Sequence, residues 1–409
     1  MRVLITTQVY PPEIHPTAVM VHELARHLVA IGWEVTVAAG LPHHPYGEVY
    51  PGHEPQLVSR STMDGVEVLR GYHLTSPSRS VAMRGAVFVT QALAAATVAS
   101  LGGPYDVVVV YGPPLVGPLL GRLVATRHRA KLVTVIYDIY PDVAVETGKV
   151  SNRAVIEAAK IAERLQYAGS DRIIVLSEGF VRTMVDKGVP REKLRVVPVW
   201  LDPDEIRPGE RDNAWRAEQG IRLDQTVVLY AGTVGVISNA AVVAEAASRL
   251  KDRPDILFLF VGEGEAKAEV ERLAEQHGLC NIRLLPFQPR ERLAEVQAAA
   301  DVGLVTLAPG RGRTSVPSKV VAYLAAGRPA LASVDSDCDT AHLIESSACG
   351  VVAPVGDPIA LAAAVAELAD DPPRRRELGQ RARQAFEAHF SRPTCLERFA
   401  EILDEVATP

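Results

Sequence analysis

Short apolar runs alternate along this chain with longer segments in which apolar positions recur every three or four residues. The first run, Val3–Thr7, predicts a buried strand. Helical spacing of apolar residues then predicts a helix that starts near Ala18 and ends at Gly32, before a second strand at Glu34–Ala39. Strand, helix and strand in this order predict a βαβ unit.

The same alternation continues to the end of the chain, with one interruption. Around 199–220 the pattern gives way to Asp, Pro, Gly and Arg, which is typical of an interdomain linker. A chain of 409 residues also exceeds what one core usually accommodates. We therefore predict the α/β class, with two Rossmann-like, doubly wound parallel-sheet domains facing a deep cleft, at 1–200 and 201–385. The helix at 386–409 is expected to pack back on the first domain.

Ligands of such sheets bind outside the carboxyl ends of the strands, so the loops after the strands are the candidate sites. In the second half, glycine turns let a backbone approach a ligand, and Pro317 at a helix start would leave the next two amides facing an anion. We expect a nucleotide diphosphate there. The candidate residues for binding this nucleotide diphosphate, which we call the donor, are Gly232, Thr233, Gly235, Gly262, Glu263, Phe287, Gln288, Arg311, Arg313, Pro317, Ser318 and Lys319.

Each of these features also fits a plain structural role when taken alone. The glycines can form simple tight turns, and the arginines can belong to a solvated loop. Their joint placement after neighbouring strands favours a ligand site. A flat base would lie against Phe287, and Glu263 or Gln288 would bond to its polar edge.

Polar residues also follow two strands of the first half. Glu13 and His15 follow the first strand, and Asp138 and Asp142 follow the strand that ends near Tyr137. A carboxylate or imidazole can orient an acceptor hydroxyl, so Asp138, Glu13 and His15 are the candidate catalytic residues. His15 can equally be a loop histidine without a chemical role, and Asp142 can cap a helix. Asp138 is the favoured candidate.

Charge and cysteine content exclude several classes of function. With 43 basic and 49 acidic residues and a net charge of −6, the chain has no global basic field, so nucleic acid is not expected as a partner. The four cysteines have neither CxxC spacing nor the density of a secreted scaffold, and fit reduced thiols in the cytoplasm. The N-terminal apolar run is too short for a signal peptide.

Two motifs resemble metal sites, and for both a simpler explanation is preferred. Asp335-Ser336-Asp337-Cys338-Asp339 contains a DxD pattern, but it follows a late strand where helix capping explains it. His43, His44 and His53 lack a carboxylate or cysteine at helical spacing. We predict no metal and no cofactor.

Two structural interpretations of the segment 78–101 remain open. Arg79 and Arg84 precede an apolar stretch that Gln91 interrupts, which falls short of a membrane-spanning helix. The segment can lie in a bilayer interface as a peripheral contact, or it can be an ordinary helix packed on its sheet.

A set of longer segments is distributed over both halves of the chain. They are Pro11-Pro12-Glu13, His22–Leu28, Gly32–Val37, Leu41–Gly47 and Tyr137–Asp142, then Tyr230–Gly235, Val261–Gly264, Ala300–Leu304 and Val316–Pro329. In this order and spacing they resemble glycosyltransferase family 4, which has the GT-B fold, and in particular its colanic-acid and O-antigen branch. The resemblance implies retaining, metal-independent sugar transfer from a nucleotide-diphosphate donor, usually a UDP-sugar, in polysaccharide biosynthesis. The donor would bind the second domain, and a glycan, lipid-linked or small-molecule acceptor the first. A cytoplasmic enzyme is expected, with contact to the inner face of the membrane left open.

The sequence departs from the family pattern at positions that bear on activity. Thr314 and Ala322 stand where the family commonly has two glutamates, and Tyr137 stands where a histidine often precedes the cleft aspartate. Two alternative functions therefore remain: a nucleotide-sugar epimerase or hydrolase of the same fold, and a non-catalytic partner subunit that has lost the site.

Overall fold

A computed structural model describes residues 1–53, 56–78, 80–112, 115–146, 150–312 and 318–408. The elements of the first half are β1 Arg2–Thr6, α1 Pro16–Ala30, β2 Glu34–Gly40, β3 Val58–Met63, β4 Val66–Gly71, α2 Val81–Leu101, β5 Val107–Gly112, α3 Val116–His128, β6 Lys131–Ile136, α4 Asp142–Glu146, α5 Arg153–Gly169, β7 Arg172–Val175, α6 Glu178–Asp186 and β8 Leu194–Val196.

The elements of the second half follow the same alternation of strand and helix. They are α7 Ala214–Glu218, β9 Thr226–Ala231, α8 Ala241–Arg249, β10 Ile256–Val261, α9 Lys267–His277, β11 Ile282–Leu285, α10 Leu293–Ala298, β12 Val302–Thr306, α11 Ser318–Ala325, β13 Ala330–Val334, α12 Asp339–Ser346, β14 Gly350–Pro354, α13 Pro358–Asp370, α14 Pro372–His389 and α15 Arg392–Ala407.

The chain forms two compact units, each built on one sheet. The first unit comprises Met1–Leu176, Phe180–Val197 and Leu396–Pro409, and the second comprises Ser177–Gly179 and Pro198–Cys395. Within the described residues the sheet orders are β3-β4-β2-β1-β5-β6-β7-β8 and β11-β10-β9-β12-β13-β14. All pairs are parallel except β3 with β4, so the predicted α/β architecture of two parallel-sheet units is confirmed.

Three helices of the first unit lie side by side on one face of its sheet. α2, α3 and α5 connect β4 to β5, β5 to β6 and β6 to β7, and all three crossovers run in the same direction along the sheet. Since parallel crossovers are right-handed, all three helices cover the same face. α3 accordingly contacts both α2 and α5.

α2 is long and apolar enough, by length and composition, to cross a membrane, with a mean hydropathy of 1.3 over Ala82–Leu101. It nevertheless packs against β2 and β4 and buries Val98 and Ala99 in the core of the unit. The helix therefore packs on the sheet, and contact of its exposed side with a membrane stays a prediction. Arg79, which belongs to that prediction, lies outside the described residues.

The predicted linker at 199–220 contains structure of its own. α7 buries Trp215 and Arg216, and the guanidinium of Arg216 lies 3.4 Å from the buried carboxylate of Asp301. Asp301 also accepts the backbone N–H of Val227, at the start of β9. The chain between the two sheets is therefore packed into the second unit.

The C-terminal segment forms two helices, α14 and α15, which are separated at Phe390–Ser391. Residues from Leu396 onward belong to the first unit, where the carboxylate of Glu405 pairs with Arg172 (2.9 Å) and Arg195 (2.6 Å). These ion pairs attach the end of α15 to β7 and β8.

Candidate functional site

The candidate donor site lies on the loops at the carboxyl ends of β9 and β10. Gly232 follows β9 with φ +116°, a conformation that other residues rarely adopt. A Cβ at Gly262, which follows β10, would overlap the carbonyl of Gly232. Farther along, the amide of Val234 donates to the carbonyl of Glu263 at 3.0 Å. The two loops therefore lie backbone against backbone, and glycine is required where they meet.

Lys319 is the cationic group beside this turn. Its Nζ lies 3.5 Å from the centroid of the Tyr230 ring, and its Cε lies 3.7 Å from where a Cβ on Gly232 would be. Burial lowers the pKa of Lys319 to about 7, and no carboxylate in the described part of the chain forms an ion pair with it. An ammonium group that is partly removed from water, with no counter-charge, favours an anionic ligand.

Tyr323 fixes the helix that carries this lysine. The tyrosine is fully buried, its hydroxyl accepts the backbone N–H of Ala231 (2.9 Å), and it donates to the carbonyl of Leu304 (3.2 Å). One side chain thereby ties α11 to the last residues of β9 and to β12. The sequence reasoning missed Tyr230 and Tyr323, although the four-residue spacing of Lys319 and Tyr323 places both on one face of a helix.

The residues predicted to contact a base have different surroundings. The ring of Phe287 is 55% exposed after β11 and is open to stacking. Gln288 accepts from the indole N–H of Trp215 (3.1 Å) and donates to the carbonyl of Pro286 (3.1 Å). Both ends of the Gln288 amide are therefore engaged by the protein. The carboxylate of Glu263 is exposed and pairs with Lys267 at 2.8 Å.

The remaining donor candidates lie around the same edge of the sheet. Thr233 is exposed, and its carbonyl accepts from the Tyr230 hydroxyl at 3.0 Å; the carbonyl of Gly235 accepts from Ser238. Arg311 and Ser318 are exposed on either side of 313–317. Arg313 and Pro317 lie outside the described residues, as does Thr314.

The DxD segment has a structural role in the second unit. The carboxylate of Asp335 accepts the backbone N–H of Gly310 at 2.8 Å, and Cys338 caps the N-terminus of α12. Of the three histidines His43, His44 and His53, His43 has a hydrogen-bond partner within the protein, since its Nδ1 donates to the carbonyl of Leu41 at 3.1 Å. Among the described residues, no group of three His, Cys, Asp or Glu side chains is placed to hold a metal ion.

In the first unit, Glu13 holds two loops together. Its side chain is buried, and its carboxylate accepts the backbone N–H groups of Tyr10 (3.0 Å), His43 (3.1 Å) and His44 (3.0 Å). The buried Arg70 lies close enough to interact with it electrostatically. Both carboxylate oxygens are thus engaged by the protein, so Glu13 acts on the shape of the loop after β1.

His15 lies at the N-cap of α1. Its Nδ1 accepts the backbone N–H of Thr17 at 3.1 Å, and its ring packs edge-on against His44. Burial, and next the neighbouring His44, lower the pKa of His15, while Glu13 opposes them. A neutral imidazole that accepts at Nδ1 carries its proton on Nε2, so His15 is a hydrogen-bond donor at neutral pH.

Asp138 is exposed two residues beyond β6. It lies near Tyr140 and Arg84: burial is the main cause that raises the pKa of Tyr140, Asp138 adds to it, and Arg84 opposes it. Of the predicted carboxylates, Asp138 is therefore the one that is exposed in the loop after β6. Asp142 instead pairs with Lys187 at 2.9 Å.

Comparison with known proteins places the whole chain among sugar transferases. Residues 17–200 match the glycosyl transferase 4-like domain, and residues 211–385 match glycosyl transferases group 1. The chain is 25% identical over 354 residues to a protein of Escherichia coli K12 named as the colanic acid biosynthesis glycosyl transferase WcaI, with 85% of this chain and 86% of the relative covered.

Two further similarities extend over nearly the whole length. A D-inositol 3-phosphate glycosyltransferase of Thermobispora bispora is 26% identical over 412 residues, with 95% of this chain and 89% of the relative covered. Alr3699/HepE of Anabaena, solved in complex with UDP-glucose, superposes with a TM-score of 0.64 at 16% identity, with 99% of this chain and 100% of that chain covered. At that identity, the superposition shows a common fold.

Proposed function

Because the chain belongs to the family 4 glycosyltransferases of the GT-B fold, we propose that it transfers a sugar from a UDP-sugar, with retention of configuration and without a bound metal. The acceptor is a hydroxyl of a glycan, a lipid-linked saccharide or a small molecule. The similarity to the Escherichia coli protein named for colanic acid biosynthesis favours a role of this chain in polysaccharide assembly. We place the reaction in the cytoplasm, with peripheral contact to the inner membrane face through the segment 78–101.

The observation that carries this proposal is Lys319 above the Tyr230 ring and beside the Gly232 turn, with no counter-charge among the described residues. A diphosphate at the turn would supply the missing negative charge. As the bond between sugar and diphosphate breaks, negative charge grows on the leaving phosphate, and a preorganised ammonium group stabilises that charge. Lys319 therefore has a role in both donor binding and departure of the leaving group.

UDP is preferred as the nucleotide for two reasons. The similar Anabaena protein was solved with UDP-glucose. The exposed Phe287 ring after β11 also offers a stacking surface for a base, next to backbone groups that can read the base edge. Because the Gln288 amide is already bonded to Trp215 and Pro286, we assign base recognition to the backbone around Phe287 rather than to Gln288.

In the first unit we assign acceptor contact to Asp138 and His15. Asp138 would accept a hydrogen bond from the attacking hydroxyl, and the Nε2–H of His15 would donate to an acceptor oxygen. Glu13 would shape the loop that carries His15 and is not assigned a chemical step.

Calorimetric titration with UDP, GDP and dTDP, in the presence of EDTA, tests the donor site. We expect UDP to bind and Lys319→Ala to weaken binding by at least about tenfold, as loss of a charge-assisted contact implies. Lys267→Ala is the matched control, because the charge of Lys267 is already paired with Glu263. Equal binding by wild type and Lys319→Ala would refute the assignment.

One observation favours the non-catalytic alternative. Ala322, one turn after Lys319, is partly buried against the core and offers no carboxylate. Turnover separates the two functions: acceptor-dependent release of UDP from UDP-sugars supports the transferase, whereas tight UDP binding with no turnover toward any donor supports the partner subunit. Asp138→Asn is expected to lower turnover and to leave UDP affinity unchanged.

A further inference from the structure

Helix α5 of the first unit is folded with its polar side inward. Glu163 and Gln166 are 4% and 5% exposed, while Val155, Ile161 and Leu165 are 52%, 56% and 58% exposed. Large apolar side chains normally fill the inner side of a surface helix. An inverted helix of this kind indicates that its outer side meets something other than water.

A buried polar network fixes the orientation of α5. The hydroxyl of Tyr167 donates to Glu163 Oε1 at 2.8 Å, and Lys187 bridges Glu163 (2.8 Å) and Asp142 (2.9 Å). Beyond the helix end, Lys193 donates to the carbonyl of Ser170 at 2.9 Å. Turning the helix to bury its apolar side would leave the Glu163 carboxylate and its partners unpaired, which is costly.

The exposed apolar residues form one continuous stripe. Ala154, Ala158, Ile161, Leu165 and Ala168 recur at intervals of four, three, four and three, so they project from one face of the helix. Arg153, Lys160 and Arg164 form a row along one border of this stripe, at successive intervals of seven and four residues. Lys160 pairs with Glu157, whereas no ion pair in the described part of the chain involves Arg153 or Arg164.

The neighbouring helices extend the apolar surface. α2, α3 and α5 cover the same face of the sheet, and α3 contacts both of the others. Val89 and Leu93 of α2 and Leu123 of α3 are also exposed, at 42%, 47% and 66%. Since exposed side chains of this helix layer point away from the sheet, they lie on the same outer side as the α5 stripe.

We propose that α5 docks on the surface of an anionic bilayer. Its apolar stripe enters the boundary between headgroups and acyl chains, and the row Arg153, Lys160 and Arg164 contacts lipid phosphates. An apolar stripe bordered by cations complements this surface in both hydrophobicity and charge. A second copy of the chain fits less well, because it would present the same cations. The inference rests on the proposed function only for the acceptor, since the docked face would meet a lipid-linked saccharide.

Vesicle flotation tests docking without any need for turnover. Wild-type protein should float with vesicles of phosphatidylcholine containing about 30 mol% phosphatidylglycerol, and less with phosphatidylcholine alone, because each basic residue near an anionic surface strengthens binding about fivefold. The double variant Ile161→Glu/Leu165→Glu should lose at least about tenfold in partitioning. The triple variant Arg153→Gln/Lys160→Gln/Arg164→Gln should lose the preference for anionic vesicles.

Ile359→Glu is the matched control, because Ile359 is similarly exposed (61%) but belongs to the second unit. It should float like the wild type. Failure of the wild type to float, or equal flotation of wild type and Ile161→Glu/Leu165→Glu, would overturn the proposal. So would a wild-type dimer that this variant dissociates in the absence of vesicles. Thermal unfolding of each α5 variant, followed by circular dichroism, shows whether the first unit is folded. UDP titration, which probes the second unit, separates a failure of docking from a failure of the proposed function.

Discussion

Raising the pH from 7 to 9 should weaken UDP binding, because Lys319 loses its proton over this range. In the protein without bound UDP, burial lowers the pKa of Lys319 to about 7. A bound diphosphate favours the charged form and raises that pKa, so UDP binding takes up a proton. The affinity for UDP is therefore highest below the pKa that Lys319 has without UDP, and it falls as the pH rises through that pKa.

The expected size follows from the protonated fraction. In the protein without bound nucleotide, Lys319 is charged in about half of the molecules at pH 7 and in about one in a hundred at pH 9. The dissociation constant of UDP should therefore rise about fiftyfold, or about 2.3 kcal/mol. UDP does not compensate within this range, because a terminal phosphate loses its second proton near pH 6. The loss of UDP affinity between pH 7 and 9 therefore comes from ionisation of the protein and not of UDP.

Calorimetry at several pH values, in two buffers with different ionisation enthalpies, measures both affinity and proton uptake. Lys319→Arg keeps its charge throughout and should give a flat profile from pH 7 to 9. Lys319→Met should bind weakly at every pH. Lys267→Met should retain the wild-type decline, because its lysine is paired with Glu263. A flat profile for the wild type, or an unchanged decline in Lys319→Arg, would show that Lys319 is not the titrating group.

Three further predictions concern the two loops and the chemistry of the donor. Glu13→Gln should lower the free energy of unfolding by about 3 kcal/mol in urea, because the buried carboxylate accepts three backbone N–H groups; a loss below about 1 kcal/mol would contradict the loop-holding role. Gly262→Ala should abolish measurable UDP binding, because its Cβ would overlap the carbonyl of Gly232, whereas Gly85→Ala, with open space around it, should bind UDP normally in the same titration. Removal of divalent ions with EDTA should leave UDP affinity and sugar transfer unchanged, and recovery of either on adding Mg²⁺ would count against a metal-independent reaction.

The strands of the second unit were predictable because glycine or proline bounds most of their apolar runs. The apolar runs Ile256–Val261 and Ile282–Leu285 end before Gly262 and Pro286, and both are strands. The hairpin β3–β4 is harder to read, since β3 lies at the sheet edge and is largely polar. Its clearest signal is the turn at Asp64-Gly65, where both residues have positive φ.

The chemistry of the site was only partly predictable, because burial depends on distant segments. Lys319 was identified from its place at a helix start, but its lowered pKa depends on packing against Tyr230, which comes from β9. Glu13 was identified as a carboxylate near a strand end, yet two of the three amides that engage it belong to the distant His43 and His44. The apolar positions of α5 would predict the opposite side as buried, because sequence does not show the Lys187–Glu163 pair.

The hydrogen bonds of Tyr323 have a consequence for attempts to change the sugar specificity of this enzyme. Because one hydroxyl joins α11 to the end of β9 and to β12, substitutions within that helix will shift Lys319 and the glycine turn together. Variant libraries aimed at the helix will therefore mix losses of nucleotide affinity with changes in sugar choice. Libraries confined to the exposed positions Thr233 and Arg311 leave this junction intact, and are the better starting point for redesign.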